Sequence, residues 1–231
     1  PLSQGSDGAG SIRIPCSFCG IFGFKPTYGL VPQYPPSAME LLSHIGPMSR
    51  TVEDSALMLS TMAGADELDP HSWSAPCDYL TNLKKNGSID VQPIVWSPNL
   101  GTNIVDPEIS KITAQAARNF SDIGYQVEEK SPEIDDPWEI INTIWVTALA
   151  SLYEDRLEES RSQIDPGLLS LIDSADKISG IELATALRNR NKYFQQMRNF
   201  MEGYQLLLTP TMPLEPFPAG LDRPTHIGNT Q

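Results

Sequence analysis

The chain has 231 residues, 40% of them hydrophobic and 19% charged, with a formal net charge of −13. This suits one large domain or part of one, excludes a disordered chain, and disfavours binding along a phosphate backbone. No uncharged apolar run approaches the ~20 residues that a membrane-spanning helix needs, and three cysteines, an odd and sparse number, argue against a disulfide framework and for a reducing, cytoplasmic compartment.

The chain opens without Met or a signal-peptide pattern, directly in a Gly-rich stretch read as a loop, so a fragment of a longer protein is expected. A short helix over about Arg13–Cys19 follows, with Pro15 tolerated in its first turn. Gly20 to Pro26 is a short apolar run between turn signals and reads as a buried strand. Thr51 to Ala63 reads as a helix. Thr51 and Asp54 make a capping-box-like start, Val52, Ala56, Leu59 and Ala63 share one face, and Gly64 stops it. Pro93–Trp96 is a candidate strand. Asp106-Pro107 opens a helix that turns Ile109, Ile112, Ala116 and Phe120 inward and ends at Gly124, and Tyr125–Glu129 is the next strand, giving a βαβ unit. Pro137–Arg156 and Gly180–Met201 read as helices, the second with Leu187, Phe194, Met197, Met201 and Tyr204 at helical spacing, and Leu206–Thr209 reads as a strand. The tail from Pro210 has no strong period. The class is α/β.

The most informative stretch is Gly5-Ser6-Asp7-Gly8-Ala9-Gly10-Ser11. Its glycines let the backbone turn sharply and approach a ligand, and consecutive N–H groups in such a turn converge on an anion. A Ser hydroxyl at the end of the turn then sits beside an oxyanion hole, which is what a Ser nucleophile needs besides a base. By itself this pattern is also compatible with a purely structural turn. It is neither a phosphate loop, since no Gly-Lys-Ser/Thr follows, nor a Gly-x-Ser-x-Gly elbow.

The stretch continues as Ser11-Ile12-Arg13-Ile14-Pro15, Phe18-Cys19-Gly20, Gly23-Phe24-Lys25-Pro26-Thr27 and Gly46-Pro47-Met48-Ser49-Arg50, with Leu208-Thr209-Pro210-Thr211 far downstream. This closely resembles the amidase signature family, densely from Gly5 to Gly64 and more loosely to about Pro218. The resemblance implies an α/β/α sandwich around a mixed central sheet, of which residues 1–231 supply the middle. It also implies a partial amidase domain whose upstream Lys and bridging Ser, and whose C-terminal segment, lie outside this sequence. It assigns the nucleophile to Ser11 and the oxyanion hole to the backbone amides near Gly8, Ala9 and Gly10, and it requires no metal or organic cofactor. The substrate would be a small-molecule amide, with no direct nucleic-acid or membrane partner, and a homodimer is allowed. Ala9 departs from the family's Gly and places a methyl beside the hole. Ile14 and Ser43-His44 depart from the Gln and Asp-Gln of the glutamine-amide-releasing subunit of tRNA-dependent amidotransferases, which favours a stand-alone amidase. A non-catalytic homologue or binding module is the third reading.

Asp7 and Arg13 are expected to brace the loop as an ion pair, and Lys25, at the family's Lys-Pro-Thr position, to be structural rather than the base. His44, His71 and His226 have no triad or ligand spacing. Trp138, Trp145 and Tyr153 on one helix are expected to pack. Cys16 and Cys19 form a C-x-x-C, which suggests a redox pair or half a zinc site. With no second Cys pair, two buried thiols around a short helix are expected instead. Elemental analysis of the purified protein is therefore expected to return no stoichiometric zinc, and a one-to-one zinc content would make the pair part of a metal site.

Overall fold

The computed structural model of the protein describes residues 1–74, 78–84, 93–101, 103–221, 223–228 and 230; Cys77 lies outside them. The chain forms two units, Pro1–Ser88 and Ile89–Gln231. Helices and strands occur in both, so the class is α/β. Among the described residues no helix is long and apolar enough to cross a membrane.

In the first unit, β1 (Leu2–Asp7), α1 (Arg13–Cys19), β2 (Phe22–Gly23), β3 (His44–Ser49), α2 (Val52–Met62) and α3 (Tyr79–Lys84) follow in order. The sheet order is β1-β3-β2, antiparallel throughout. The opening is therefore a strand rather than a loop. Its Gly- and Ser-rich residues show no alternation, yet each finds a backbone partner, from Leu2 opposite Ser49 to Asp7 opposite His44. The apolar run of 20–26 contributes only the two residues of β2.

The central strand β3 contains Gly46-Pro47, a pair that reads as a turn. Two facts reconcile the proline with its place. A strand residue points its N–H and C=O to the same side, and the Pro47 carbonyl accepts from the Phe24 N–H at 3.0 Å, beyond the end of β2. The missing donor thus falls where the neighbouring strand has stopped. The Phe24 carbonyl oxygen, which a proline cannot serve, lies over Gly46, where an added methyl group would overlap it.

Glycine is needed in these strands for a second reason. Ile12 is fully buried. A methyl at Gly5 would lie 2.9 Å from its Cγ1, one at Gly23 2.9 Å from its Cγ2, and one at Gly46 3.1 Å from its Cδ1. One glycine from each strand therefore forms the socket that holds this side chain. Beyond the sheet, Thr51 caps α2 by accepting from the Asp54 N–H, as expected. Leu59 packs with Leu30 and Val31 against Ile45 and Met62. Burial of one such Leu is worth roughly 2 kcal/mol. Ser55 takes the inward position next to Leu59, and Val52, expected inward, is exposed.

The second unit contains β4 (Ile94–Trp96), α4 (Pro107–Asp122), β5 (Val127–Glu129), α5 (Trp138–Tyr153), α6 (Leu157–Ser160), α7 (Pro166–Ser174), α8 (Gly180–Phe200) and β6 (Leu206–Leu208). The sheet order is β5-β4-β6, parallel, so β4-α4-β5 is the expected βαβ unit. Central β4 is an unbroken apolar run because both its faces are buried. The Asp106 carboxylate caps α4 by accepting from the Glu108 and Ile109 N–H groups, with Pro107 at the first position, and Gly124 ends the helix at positive φ. The inward stripe of α4 differs from the expected one. Ala117 is buried and Ile109, Thr113 and Phe120 are half-buried, whereas Ile112 is 57% exposed and Ala116 is exposed. The helix is turned by one position because Thr113, spaced four from Ile109 and Ala117, satisfies its hydroxyl on the Ile109 carbonyl and so tolerates the inner face.

Helix α8 begins with a full capping box, Ser179 and Glu182, and packs on α5. Ala186 is its buried residue, while Leu187 and Phe194 of the helically spaced set are exposed. Trp138 at the start of α5 is also exposed, whereas Trp145 and Tyr153 are half-buried. Helices α3, α6 and α7 go beyond the sequence reading. Helix α7 carries the same signal as α4, Asp165 capping ahead of Pro166, and is legible in retrospect.

Gly46→Ala is expected to cost about 2–3 kcal/mol, because the added methyl meets a backbone oxygen on one side and Ile12 on the other. Urea unfolding of both proteins at one temperature reads the difference, and an unchanged midpoint would show that the contact relaxes freely.

Candidate active site

Asp7 is the last residue of β1, and its side chain turns back under the segment that follows. It is fully buried. Its Oδ1 accepts from the Gly10 N–H at 2.7 Å, and its Oδ2 from the N–H groups of Ile12 at 3.2 Å and Arg13 at 3.3 Å. Arg13 adds a two-pronged contact, Nε to Oδ2 at 2.9 Å and Nη2 to Oδ1 at 2.8 Å. Helix α1 has no side-chain cap at Ile12. The carboxylate of Asp7 takes that part from several residues upstream and occupies amides that the first turn leaves open. The bracing expected of Asp7 and Arg13 is thus an ion pair fused with a helix cap.

The turn can follow this path because Gly10 has φ of 130°, which a side chain would rarely allow. The Ile14 N–H then donates to the Gly10 carbonyl at 2.7 Å and starts the helix. The Gly10 amide, expected among the oxyanion donors, points instead to Asp7 and is committed inside the turn. Among the described residues, the N–H groups of Gly8, Ala9 and Ser11 donate to no protein acceptor, and the Ser11 hydroxyl has no hydrogen-bond partner. Ser11 and Ala9 are exposed. An exposed hydroxyl therefore stands beside three unengaged amides on a turn pinned from below. The Ser11 amide was not among the donors expected from the sequence.

Burial alone would raise the pKa of Asp7. The hydrogen bonds and charge of Arg13, with the Gly10 and Arg13 amides, outweigh it and hold the carboxyl down at about 2. The same pairing raises the Arg13 guanidinium.

Ile14 lies over Gly10, where a methyl would be 2.6 Å from its Cδ1, and it is 37% exposed. His44 stands opposite Asp7 on β3, with Nδ1 2.8 Å from the Leu42 carbonyl oxygen and its ring edge-on to Tyr28 at 5.6 Å. Burial pushes its pKa down and the charge of Lys25 adds to this, against the pull of the Leu42 and Asp7 carbonyls and the Asp7 charge. Lys25 thus lies near enough to His44 for its charge to act on the ring. His71 approaches Tyr28 and stands 3.7 Å from Glu40, and the His226 ring meets Thr225. Cys16 is buried, but Cys19, expected to be buried with it, is exposed at the end of α1. Among the described residues no three His, Cys, Asp or Glu side chains converge as a metal cage would require.

The folded pKa of Asp7 lies below the ~4 of a free Asp side chain, so the fold favours its charged form. Its contribution is present above pH ~4 and is lost as the pH falls toward 2. Asp7→Asn is expected to lower stability by about 2 kcal/mol at neutral pH and to flatten the acid limb between pH ~4 and ~2, read by urea unfolding across a pH series. Parallel acid limbs for the two proteins would mean that another carboxylate sets the acid sensitivity.

Residues 1–230 match the family described as Amidase. Over 223 residues the chain is 38% identical to an acylamidase of Rhodococcus erythropolis, covering 94% of this chain and 46% of that protein. It is 28% identical to a Glutamyl-tRNA(Gln) amidotransferase subunit of Cenarchaeum symbiosum, covering 94% and 50%. The crystal structure of a bacterial aryl acylamidase of the amidase signature family superposes with a TM-score of 0.85 at 29% identity, over 100% of this chain and 50% of that one. The chain spans about half the length of the curated relatives it matches.

Proposed function

Because the chain belongs to the amidase family, we propose that it carries the nucleophile of a serine amidase acting on small-molecule carboxamides, as a partial amidase domain. The observation that carries this reading is the exposed Ser11 hydroxyl beside the unengaged amides of Gly8, Ala9 and Ser11, on a turn locked by Asp7 and Arg13. Ser11 Oγ attacks the carbonyl carbon. The oxyanion takes hydrogen bonds from Gly8 and Ala9, with the Ser11 amide adjoining, while Gly10 stays on Asp7. The Ser11 proton passes to a bridging Ser and a neutral Lys, which the resemblance places upstream of Pro1, and from them to the leaving amine. Water then cleaves the acyl-enzyme and releases the acid. The reading needs no cofactor, and its setting is the cytoplasm.

Ile14 favours the stand-alone amidase over the amidotransferase component. It is an apolar, partly exposed side chain lying directly over the nucleophile turn, where the resemblance puts Gln in the glutamine-handling enzymes. Such a surface suits an apolar acyl or aryl group and gives no hydrogen bond to a polar one.

A fluorophosphonate probe added to the full-length protein is expected to modify Ser11 alone, as mapped by peptide mass. Ser11→Ala is expected to remove the label and to lower amide turnover by at least ~10³-fold. Labelling of another residue, or near wild-type turnover in the variant, would overturn the assignment. Absence of labelling in a folded protein would support the non-catalytic reading.

A further inference from the structure

The C-x-x-C on α1 is not used by the reaction, and its two thiols differ sharply. Cys19 is exposed at the last position of the helix, whereas Cys16 is 4% exposed. The Cys16 Sγ packs on β2, since a methyl at Gly23 would overlap it and lie only 2.9 Å from Ile12 as well. We propose that Cys16 and Cys19 are an oxidisable dithiol, in which a peroxide attacks the exposed Cys19, the buried Cys16 resolves it, and the resulting disulfide closes the last turn of α1.

Residues three apart on an α-helix have Cβ atoms about 5–6 Å apart, and a disulfide needs about 3.5–4.5 Å. The last turn must therefore distort as the bond forms, and it is held only by its end contacts. The Gly20 N–H is shared between the carbonyls of Cys16 and Ser17, the second being a three-residue bond, and Gly20 ends the helix at φ of 62°. Cys19 is the last residue of the helix and Gly20 follows it in the left-handed region, so the Cys19 backbone moves toward Cys16 with only the helix end changing. α1 has only seven residues, so rewinding its last turn disturbs little regular structure.

The chemistry divides along the same lines. Cys19, as thiolate, attacks one peroxide oxygen. An S–O bond forms, the O–O bond breaks, and hydroxide leaves. Cys16 then attacks the Cys19 sulfur, giving up its proton to the departing oxygen. The S–S bond forms, the S–O bond breaks, and water leaves. Two thiols and one hydrogen peroxide become one disulfide and two waters. Burial, together with the neighbouring Cys19, raises the Cys16 pKa, so this thiol stays protonated until the sulfenic acid is beside it. The disulfide draws the Cys16 sulfur away from Gly23 and loosens α1 from β2, next to the Ile12 socket.

The test does not depend on amide hydrolysis. The folded chain is treated with hydrogen peroxide, quenched, alkylated and digested. The expected product is a segment holding Cys16 and Cys19 with neither thiol alkylated, two hydrogens lighter, and restored by dithiothreitol. Cys16→Ser is expected to stop at a Cys19 sulfenic acid that dimedone traps, and Cys19→Ser to protect Cys16 from oxidation. Full alkylation of both thiols after peroxide would overturn the proposal. So would a disulfide from either residue to Cys77, or oxidation of Cys16 in the Cys19→Ser protein.

Discussion

The first unit is organised around one side chain. Ile12 is the residue directly after the candidate nucleophile, and it enters a socket that exists only because Gly5, Gly23 and Gly46 have no side chains. Each of these glycines weakens its own strand, since glycine orders at a higher entropic cost and packs nothing. The sheet nevertheless tolerates three of them, because a fully buried Ile recovers roughly 2–3 kcal/mol and fixes the helix that follows. The constraint is steric and therefore sharp: a single methyl in any strand touches Ile12.

Asp7 supplies the complementary restraint from the polar side. The socket fixes where Ile12 goes, and the carboxylate fixes how the backbone reaches it, through the amides of Gly10, Ile12 and Arg13. Ser11 sits between the residues so held and is itself unheld. That division suits a nucleophile, whose backbone needs a fixed position while its hydroxyl stays open to substrate. It also explains the conflict at Gly10. One N–H does not serve both a buried carboxylate at 2.7 Å and a developing oxyanion, and the carboxylate has it.

The sequence made the helices with caps legible, because a cap is a local chemical signal. Thr51 and Asp106 each marked a start that the structure keeps. The Asp7–Arg13 pair was legible, as was the βαβ unit of the second half. β1 and β3 were hidden, because their glycines and Pro47 answer to neighbours distant in sequence rather than to any period. The inner face of α4 was displaced, and that of α8 hidden, for a related reason. Apolar residues occur on more than one side of these helices, and packing partners choose among them, leaving Ile112, Leu187 and Phe194 outside. The role of Gly10 within the Asp7 clasp was equally invisible, since a Gly-rich turn does not disclose which of its amides face inward.

The pairing of Gly5 with Gly46 has a consequence for how the molecule assembles. These positions are about forty residues apart, and closing a loop of that length costs roughly 3 kcal/mol in chain entropy before any contact compensates it. Gly5 and Gly23 lie near Ile12 in sequence, but the third wall of the socket, Gly46, comes from a distant strand. The socket under the candidate nucleophile turn is thus completed only when β3 pairs with β1, a contact of the sequence separation that slows folding. A growing polypeptide that has not yet exposed β3 carries the Gly-rich motif, its Asp7 clasp and two walls of the socket, but not the third.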